Sequence, residues 1–102
     1  MLSGKDSDII ENKNKIEGFQ TMEKLSEFSG CQLPVDKNYD SFAKCLTEKG
    51  AVMYGAVWCA HCKDQKKAFG DSFQYIKYVE CTENTKLCLD DGVNGYPTWI
   101  IK

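Results

Sequence analysis

Four residues, Cys59-Ala60-His61-Cys62, carry two thiols at a spacing suited to disulfide exchange. An apolar run, AVMYGAV at residues 51–57, leads into them as a strand covered on both faces, and a helix is expected from about residue 60 to 69. The Cys-x-x-Cys pair therefore falls at a strand-to-helix junction. Unpaired N–H groups and the positive end of the helix dipole favour an anion there, so Cys59 is expected to be a stabilised thiolate. Cys62 lies one turn further in, close enough to form a disulfide with it. This order makes Cys59 the exposed attacking sulfur and Cys62 the resolving one, which breaks a mixed disulfide from within. His61, when protonated, adds positive charge beside the thiolate, and Trp58 is assigned with it as a supporting residue. A thiolate so stabilised leaves easily, which points to oxidising or isomerising work.

Two other readings of the pair stay open at this point. Cys59 and Cys62 could be half of a zinc site completed by Cys81 and Cys88, although six residues between the second pair exceed the usual knuckle spacing. They could also form an inert structural disulfide. Haem attachment would need His after the second cysteine, and Lys63 stands there.

The elements that must position these thiols can be read on either side. The chain has 102 residues, enough for one compact domain, and a formal net charge of −2, which gives no reason to expect nucleic acid or an anionic membrane as partner. No apolar run approaches a membrane span, and the start MLSGKDSDII lacks a secretory pattern. Either no leader exists or the chain is a trimmed piece of something larger. Six cysteines favour an oxidising compartment or a site that uses thiols, and they allow 15 pairings. Thr21 can cap a helix over residues 21–29 that Gly30 ends, with Met22, Leu25 and Phe28 on one face. Asp40 or Ser41 can cap the next helix, with Phe42, Cys45 and Leu46 inward and Gly50 as its stop. Residues 75–80 alternate as a strand, Thr82 caps a short helix ended by Gly92, and PTWII is strand again. The alternation of strand and helix implies α/β architecture with right-handed crossovers. Near the N-terminus, Ile9–Ile10 and residues 16–19 flank a polar turn-like stretch and could form a weak hairpin or a single strand.

Thirty-five residues after Cys62 comes Pro97, in GYPTW, a proline opening a strand after a Gly-bearing turn and so a candidate cis proline. With WCAHC and GYPTW together the sequence resembles the thioredoxin superfamily. Residues 39–102 are similar in order to a narrower group, the thioredoxin-like domains attached to or partnered with bacterial and plant homologues of vitamin K epoxide reductase. The resemblance implies a redox pair at Cys59 and Cys62 and a cis proline at Pro97 beside it. Tyr96 would present its backbone to an extended substrate. It also implies a Cys81–Cys88 disulfide, structural in role, with a second redox pair relaying electrons as the alternative. Cys31 and Cys45 form a candidate second disulfide, against a buried free thiol at Cys45. Three departures stand out. Ala60 replaces a common Pro. Met53 occupies the place of the buried acid of thioredoxins proper, which favours oxidase or isomerase work. The loop between Cys81 and Cys88 is shorter than in many relatives.

The resembled fold continues after PTW with a turn, a last antiparallel strand and a helix; residues 10–31 resemble that tail, and Ile9–Ile10 resemble Ile100–Ile101, the end of the preceding strand. Left unpaired, residues 98–101 would present an apolar edge. The expectation is a circularly permuted thioredoxin-like fold in which residues 1–38 supply the final strand, about 16–19, and helix, about 21–29, to a core of residues 39–102. A domain-swapped dimer would satisfy the same contacts, tandem domains completing one another would give the same sequence, and a loose N-terminal linker is the alternative. Functionally the chain reads as a thiol–disulfide oxidoreductase acting on protein thiols and disulfides. No cofactor, metal or nucleic acid is expected, and it would be a monomer or swapped dimer in an extracytoplasmic compartment. A relay to a membrane reductase of the vitamin K epoxide reductase type and a non-catalytic or metal-binding module are the other hypotheses.

Overall fold

The computed structural model describes residues 14–36 and 38–102. The expectations for residues 1–8 and for Ile9–Ile10 lie outside them. Four strands form one sheet: β1 (Lys15–Glu17), β2 (Ala51–Gly55), β3 (Lys77–Glu80) and β4 (Thr98–Ile101), in the order β1-β4-β2-β3. Helices α1 (Met22–Ser29), α2 (Asp40–Glu48), α3 (Ala60–Phe69) and α4 (Thr85–Asp90) flank it, with a 3-10 turn over Gly70–Tyr75.

Strand β2 is central and buried along its whole length, as an apolar run without alternation requires. It runs parallel to β3 and antiparallel to β4. Gly50, at φ +90°, turns the chain from α2 into it, and a β-carbon there would stand 2.5 Å from the Lys102 carbonyl oxygen, so both conformation and space demand glycine. Alternation divides the sheet into two faces. Met53 and Trp99 share a core with Met22 and Leu25 of α1, Phe42 and Leu46 of α2, and Cys62 and Phe69 of α3. Val52 and Tyr54 pack on the other face with Cys81, Cys88 and Val93. Each fully buried large side chain contributes roughly 1.5–3 kcal/mol by leaving water, so Trp99, Phe42, Leu25 and Leu46 dominate the first face.

The edge of β4 is covered within the same chain. Lys15 pairs with Ile100, Ile16 with Trp99 and Glu17 with Thr98, antiparallel. The ladder continues at both ends, with Gly18 N–H donating to the Pro97 carbonyl at 2.7 Å and Ile101 N–H to the Asn14 carbonyl at 2.9 Å. The strand thus occupies Lys15–Glu17 rather than residues 16–19, because Gly18 at φ +89° turns the chain away. Helix α1 then starts on the Thr21 hydroxyl, which accepts from Lys24 N–H at 3.1 Å, and ends on left-handed Gly30. Gln65 of α3, fully buried, ties this segment down: its Oε1 accepts from Gln20 N–H at 2.8 Å and its Nε2 donates to the Gln20 carbonyl at 3.0 Å.

Several local expectations are corrected. Neither Asp40 nor Ser41 caps α2. Tyr39 holds that position, and the Asp40 carboxylate instead accepts from the Ser72 hydroxyl at 2.5 Å. The strand expected over residues 75–80 begins only at Lys77, since Gly70–Tyr75 winds as a 3-10 turn closed by Ile76 N–H on the Phe73 carbonyl. Thr82 does not cap α4, because its hydroxyl donates to Glu80; Asn84 stands at the cap position, its side chain turned back to the Glu80 carbonyl. The run expected as strand over residues 51–57 ends at Gly55, and Val57, on the turn into α3, is 63 % exposed.

Candidate active site

The end of β2 delivers the chain directly to the thiols. Cys59 N–H donates to the Ala56 carbonyl at 3.0 Å, closing a tight turn, and Cys59 becomes the N-cap of α3 in extended conformation. Its sulfur takes the place of the usual capping oxygen and accepts from Cys62 N–H at 3.2 Å. A helix N-terminus presents backbone N–H groups to whatever negative charge that sulfur carries. Cys59 and Cys62 are both free thiols.

Sequence reasoning expects an exposed Cys59. In the fold it is buried, at 7 % exposure, because capping turns the sulfur inward over the first turn; Cys62 is more deeply covered, at 1 %. Burial first, and then sharing of its proton with the Cys59 sulfur, push the Cys62 thiol up to about 12. A backbone contact from Ala56 and the Lys66 ammonium pull weakly the other way. The two sulfurs are therefore unequal: the cap atom receives an N–H donor, and the inner one holds its proton.

Around them the structure brings together most of the residues singled out from the sequence. The Tyr96–Pro97 peptide is cis, and Pro97 is fully buried at the start of β4. Its carbonyl is occupied by Gly18 N–H, so the N-terminal segment reaches the same loop. Trp58, 67 % exposed, meets Tyr96 edge to face with centroids 5.6 Å apart, and with Val57 it forms an exposed apolar rim beside Cys59. His61 is exposed on the first turn of α3.

The other four cysteines are paired. Cys81 joins Cys88 with Cα atoms 5.8 Å apart, and Cys31 joins Cys45 with Cα atoms 6.0 Å apart. Cys45 is thus not a buried free thiol, and neither Cys81 nor Cys88 is free to complete a zinc site with Cys59 and Cys62. Among the described residues no group of three or more His, Cys, Asp or Glu side chains is placed to hold a metal ion.

Three residues at the site escape sequence reasoning. Gln65 is one. The others are Tyr78 and Glu80 on β3: the Tyr78 hydroxyl donates to Glu80 Oε1 at 2.7 Å, while Glu80 Oε2 accepts from Val57 N–H at 2.8 Å and from the Thr82 hydroxyl at 2.6 Å. Burial alone would raise the Glu80 carboxyl, but the hydrogen bonds from Thr82, Tyr78 and Val57 outweigh it and hold the group below its ordinary value. Period-two spacing, Tyr-x-Glu on a strand beside the thiol-bearing one, is the signal that could have pointed to them.

No family model matches the chain. It is similar to thiol-disulfide oxidoreductase LTO1 of Arabidopsis thaliana, 44 % identical over 70 residues, covering 60 % of this chain and 19 % of that protein. It is similar also to the protein disulfide-isomerase of Aspergillus niger, 32 % identical over 73 residues, covering 63 % of this chain and 14 % of the relative. The probable protein disulfide-isomerase ER-60 of Schistosoma mansoni is 31 % identical over 85 residues, with 72 % of this chain and 18 % of the relative covered. The chain spans about a fifth or less of the length of these relatives. Together with the helix-flanked four-stranded sheet, these similarities support a thioredoxin-like relationship.

Proposed function

We propose that this chain is a thiol–disulfide oxidoreductase that exchanges disulfides with protein thiols through Cys59 and Cys62. The observation that carries this reading is the asymmetry of the pair: a capping sulfur that accepts a backbone N–H, with a protonated, buried sulfur one turn behind it. Cys59 attacks a substrate disulfide, and the electron pair of the broken bond leaves with the substrate sulfur. Cys62 then attacks Cys59, closing the Cys59–Cys62 disulfide and releasing the second substrate thiol. Run backwards, the same two steps oxidise a substrate dithiol. Tyr96 and Pro97 offer the substrate backbone a place to lie, and Trp58 and Val57 an apolar rim; His61 adds charge at the mouth when protonated.

An oxidase or isomerase bias is supported by the fully buried Met53, which puts no acid on that position of β2. An extracytoplasmic location is supported by two disulfides outside the site. The partner that resets the pair is read as a membrane reductase of the vitamin K epoxide reductase type, on the resemblance of residues 39–102. The pairing of β1 with β4 and the packing of α1 support the permuted arrangement, in which residues 1–38 complete a core of residues 39–102.

The test is trapping. Cys62→Ser, incubated with a disulfide-bonded protein, accumulates a mixed disulfide at Cys59, seen by non-reducing electrophoresis and mass mapping. Cys59→Ser forms none. Equal trapping by both variants, or by neither, defeats the reading.

A further inference from the structure

Gly55, the last residue of β2, is where that strand meets α3 and β3. A β-carbon there would stand 2.9 Å from the Tyr78 hydroxyl oxygen and 3.1 Å from the Cys62 sulfur. The missing side chain therefore brings a phenol and a buried thiol to one methyl-sized space. The phenol is held there. Its ring packs edge-on against Phe73 at 5.8 Å between centroids, the Lys66 ammonium lies 4.2 Å from its centre, and its hydroxyl donates to Glu80. Glu80 is only partly buried, so the line Cys62, Tyr78, Glu80 runs from the deepest thiol to the solvent edge.

The chemistry of the second exchange step needs such a line. Cys62 has little nucleophilic power until its proton leaves, and burial keeps that proton in place. Strand β2 offers no acceptor, since its residues facing α3 include Met53 and Gly55 and no acid.

We propose, building on the thiol-exchange reading, that Tyr78 and Glu80 are the proton relay of Cys62. As Cys62 Sγ bonds to Cys59 Sγ, the bond between Cys59 and the substrate sulfur breaks, and its electron pair leaves on the substrate as thiolate. The Cys62 proton passes to the Tyr78 oxygen while the Tyr78 proton passes to Glu80 Oε1. Glu80 then yields it to water or to the departing thiolate. The protein dithiol becomes a disulfide as the substrate disulfide becomes two thiols, and no further oxidant enters. The charged or titratable groups facing the relay are Cys59, Cys62 and Lys66 from α3 and Glu80 from β3 itself; the 3-10 turn contributes Phe73, and β2 contributes no charge. Burial first and the bond to Glu80 second hold the Tyr78 hydroxyl above its ordinary value, so at neutral pH the phenol carries its proton and the carboxylate is vacant.

Single-turnover reaction of the reduced protein with the aromatic disulfide 5,5′-dithiobis(2-nitrobenzoate) separates the two steps. The first thionitrobenzoate reports attack by Cys59 and the second reports resolution by Cys62. Tyr78→Phe should leave the first phase within about twofold and slow the second about tenfold or more at neutral pH. The second-phase rate should then climb about tenfold per pH unit between about pH 7 and 9, as solvent deprotonation takes over, where the wild-type profile is flatter. Glu80→Gln, which keeps the shape of the acceptor, should slow the same phase in the same sense, and it decides the matter should Tyr78→Phe fail to fold. A second phase with wild-type rate and wild-type pH profile in the folded variants overturns the relay and leaves the thiol-exchange reading standing. A wild-type protein that releases no thionitrobenzoate defeats that reading, and the relay with it.

Discussion

Two neighbouring parallel strands of this sheet, β2 and β3, are each followed by a cysteine, Cys59 and Cys81, and then by a helix that carries a second cysteine. The outcomes are opposite. After β2, Cys59 is itself the N-cap of a ten-residue helix, and the backbone N–H of Cys62, three positions on, donates to its sulfur from the first turn. At the end of β3, Cys81 stands before a turn, Asn84 takes the cap position of a six-residue helix, and Cys88, seven positions on, reaches back to close a covalent bridge. One pair is free and electrostatically uneven; the other is locked and does not titrate. The difference is one of position: at the first junction the sulfur occupies the cap itself, where backbone N–H groups converge, and at the second Asn84 takes that place. One turn earlier in the chain, the same residue type is a staple.

The comparison can be broken most directly by mutation at the two junctions. Cys59→Ser should lower turnover in a protein-disulfide exchange assay by about a thousandfold or more, because the hydroxyl that replaces the thiol is a poor nucleophile without a base. The double variant Cys81→Ala/Cys88→Ala should keep turnover within a few-fold. Activity that survives the first change, or vanishes with the second in folded protein, would reverse the assignment.

Smaller effects sharpen the contrast on the stability side. Removing the Cys31–Cys45 bridge, which spans 14 positions, should cost about 3 kcal/mol by the loop-closure argument. Removing Cys81–Cys88, which spans 7, should cost about 2.5 kcal/mol. Denaturant unfolding of each Cys→Ala pair measures both. Cys31–Cys45 ties the end of α1 to α2, so its loss should also speed hydrogen exchange in β1, the strand that α1 follows.

The smallest effect is a pH dependence that the free pair carries and the locked pair does not. The folded protein holds the Cys62 proton to about 12, whereas an unfolded thiol gives it up near about 8.5. Above that point the unfolded state binds fewer protons, so stability of the reduced protein falls as pH rises, by roughly 1–2 kcal/mol between about pH 8 and 10. Cys62→Ala should flatten this slope, and urea unfolding of reduced protein across that range checks it. The locked Cys81–Cys88 bridge contributes nothing to the slope, since it has no proton to lose.

Much of the site is written locally and could be read without coordinates. An apolar run, two cysteines separated by two residues and a helical pattern after them already imply a sulfur at a helix start, because capping and dipole act over a single turn. Thr21 and Gly30 mark the ends of α1, and Gly50 the turn into β2, for the same local reason. What sequence misplaces is the competition for partners. Asp40 and Thr82 look like caps, yet Ser72 and Glu80 claim their side chains. Whether Cys45 is a lone thiol or half of a bridge depends on where α1 comes to rest, and Cys59 is covered rather than exposed because the cap geometry draws its sulfur inward.

By itself, then, the sequence determined the local pattern at one turn: two cysteines three positions apart, the first of them at the start of a helix. Only the tertiary structure decided what surrounds that turn. The sheet set Tyr78, whose hydroxyl donates to Glu80, beside a thiol sixteen residues earlier in the chain, and the edge pairing of β1 carried Gly18 and Gln20 to Pro97 and Gln65. Capping is decided within four residues, whereas register across a sheet is decided by the burial of every strand at once.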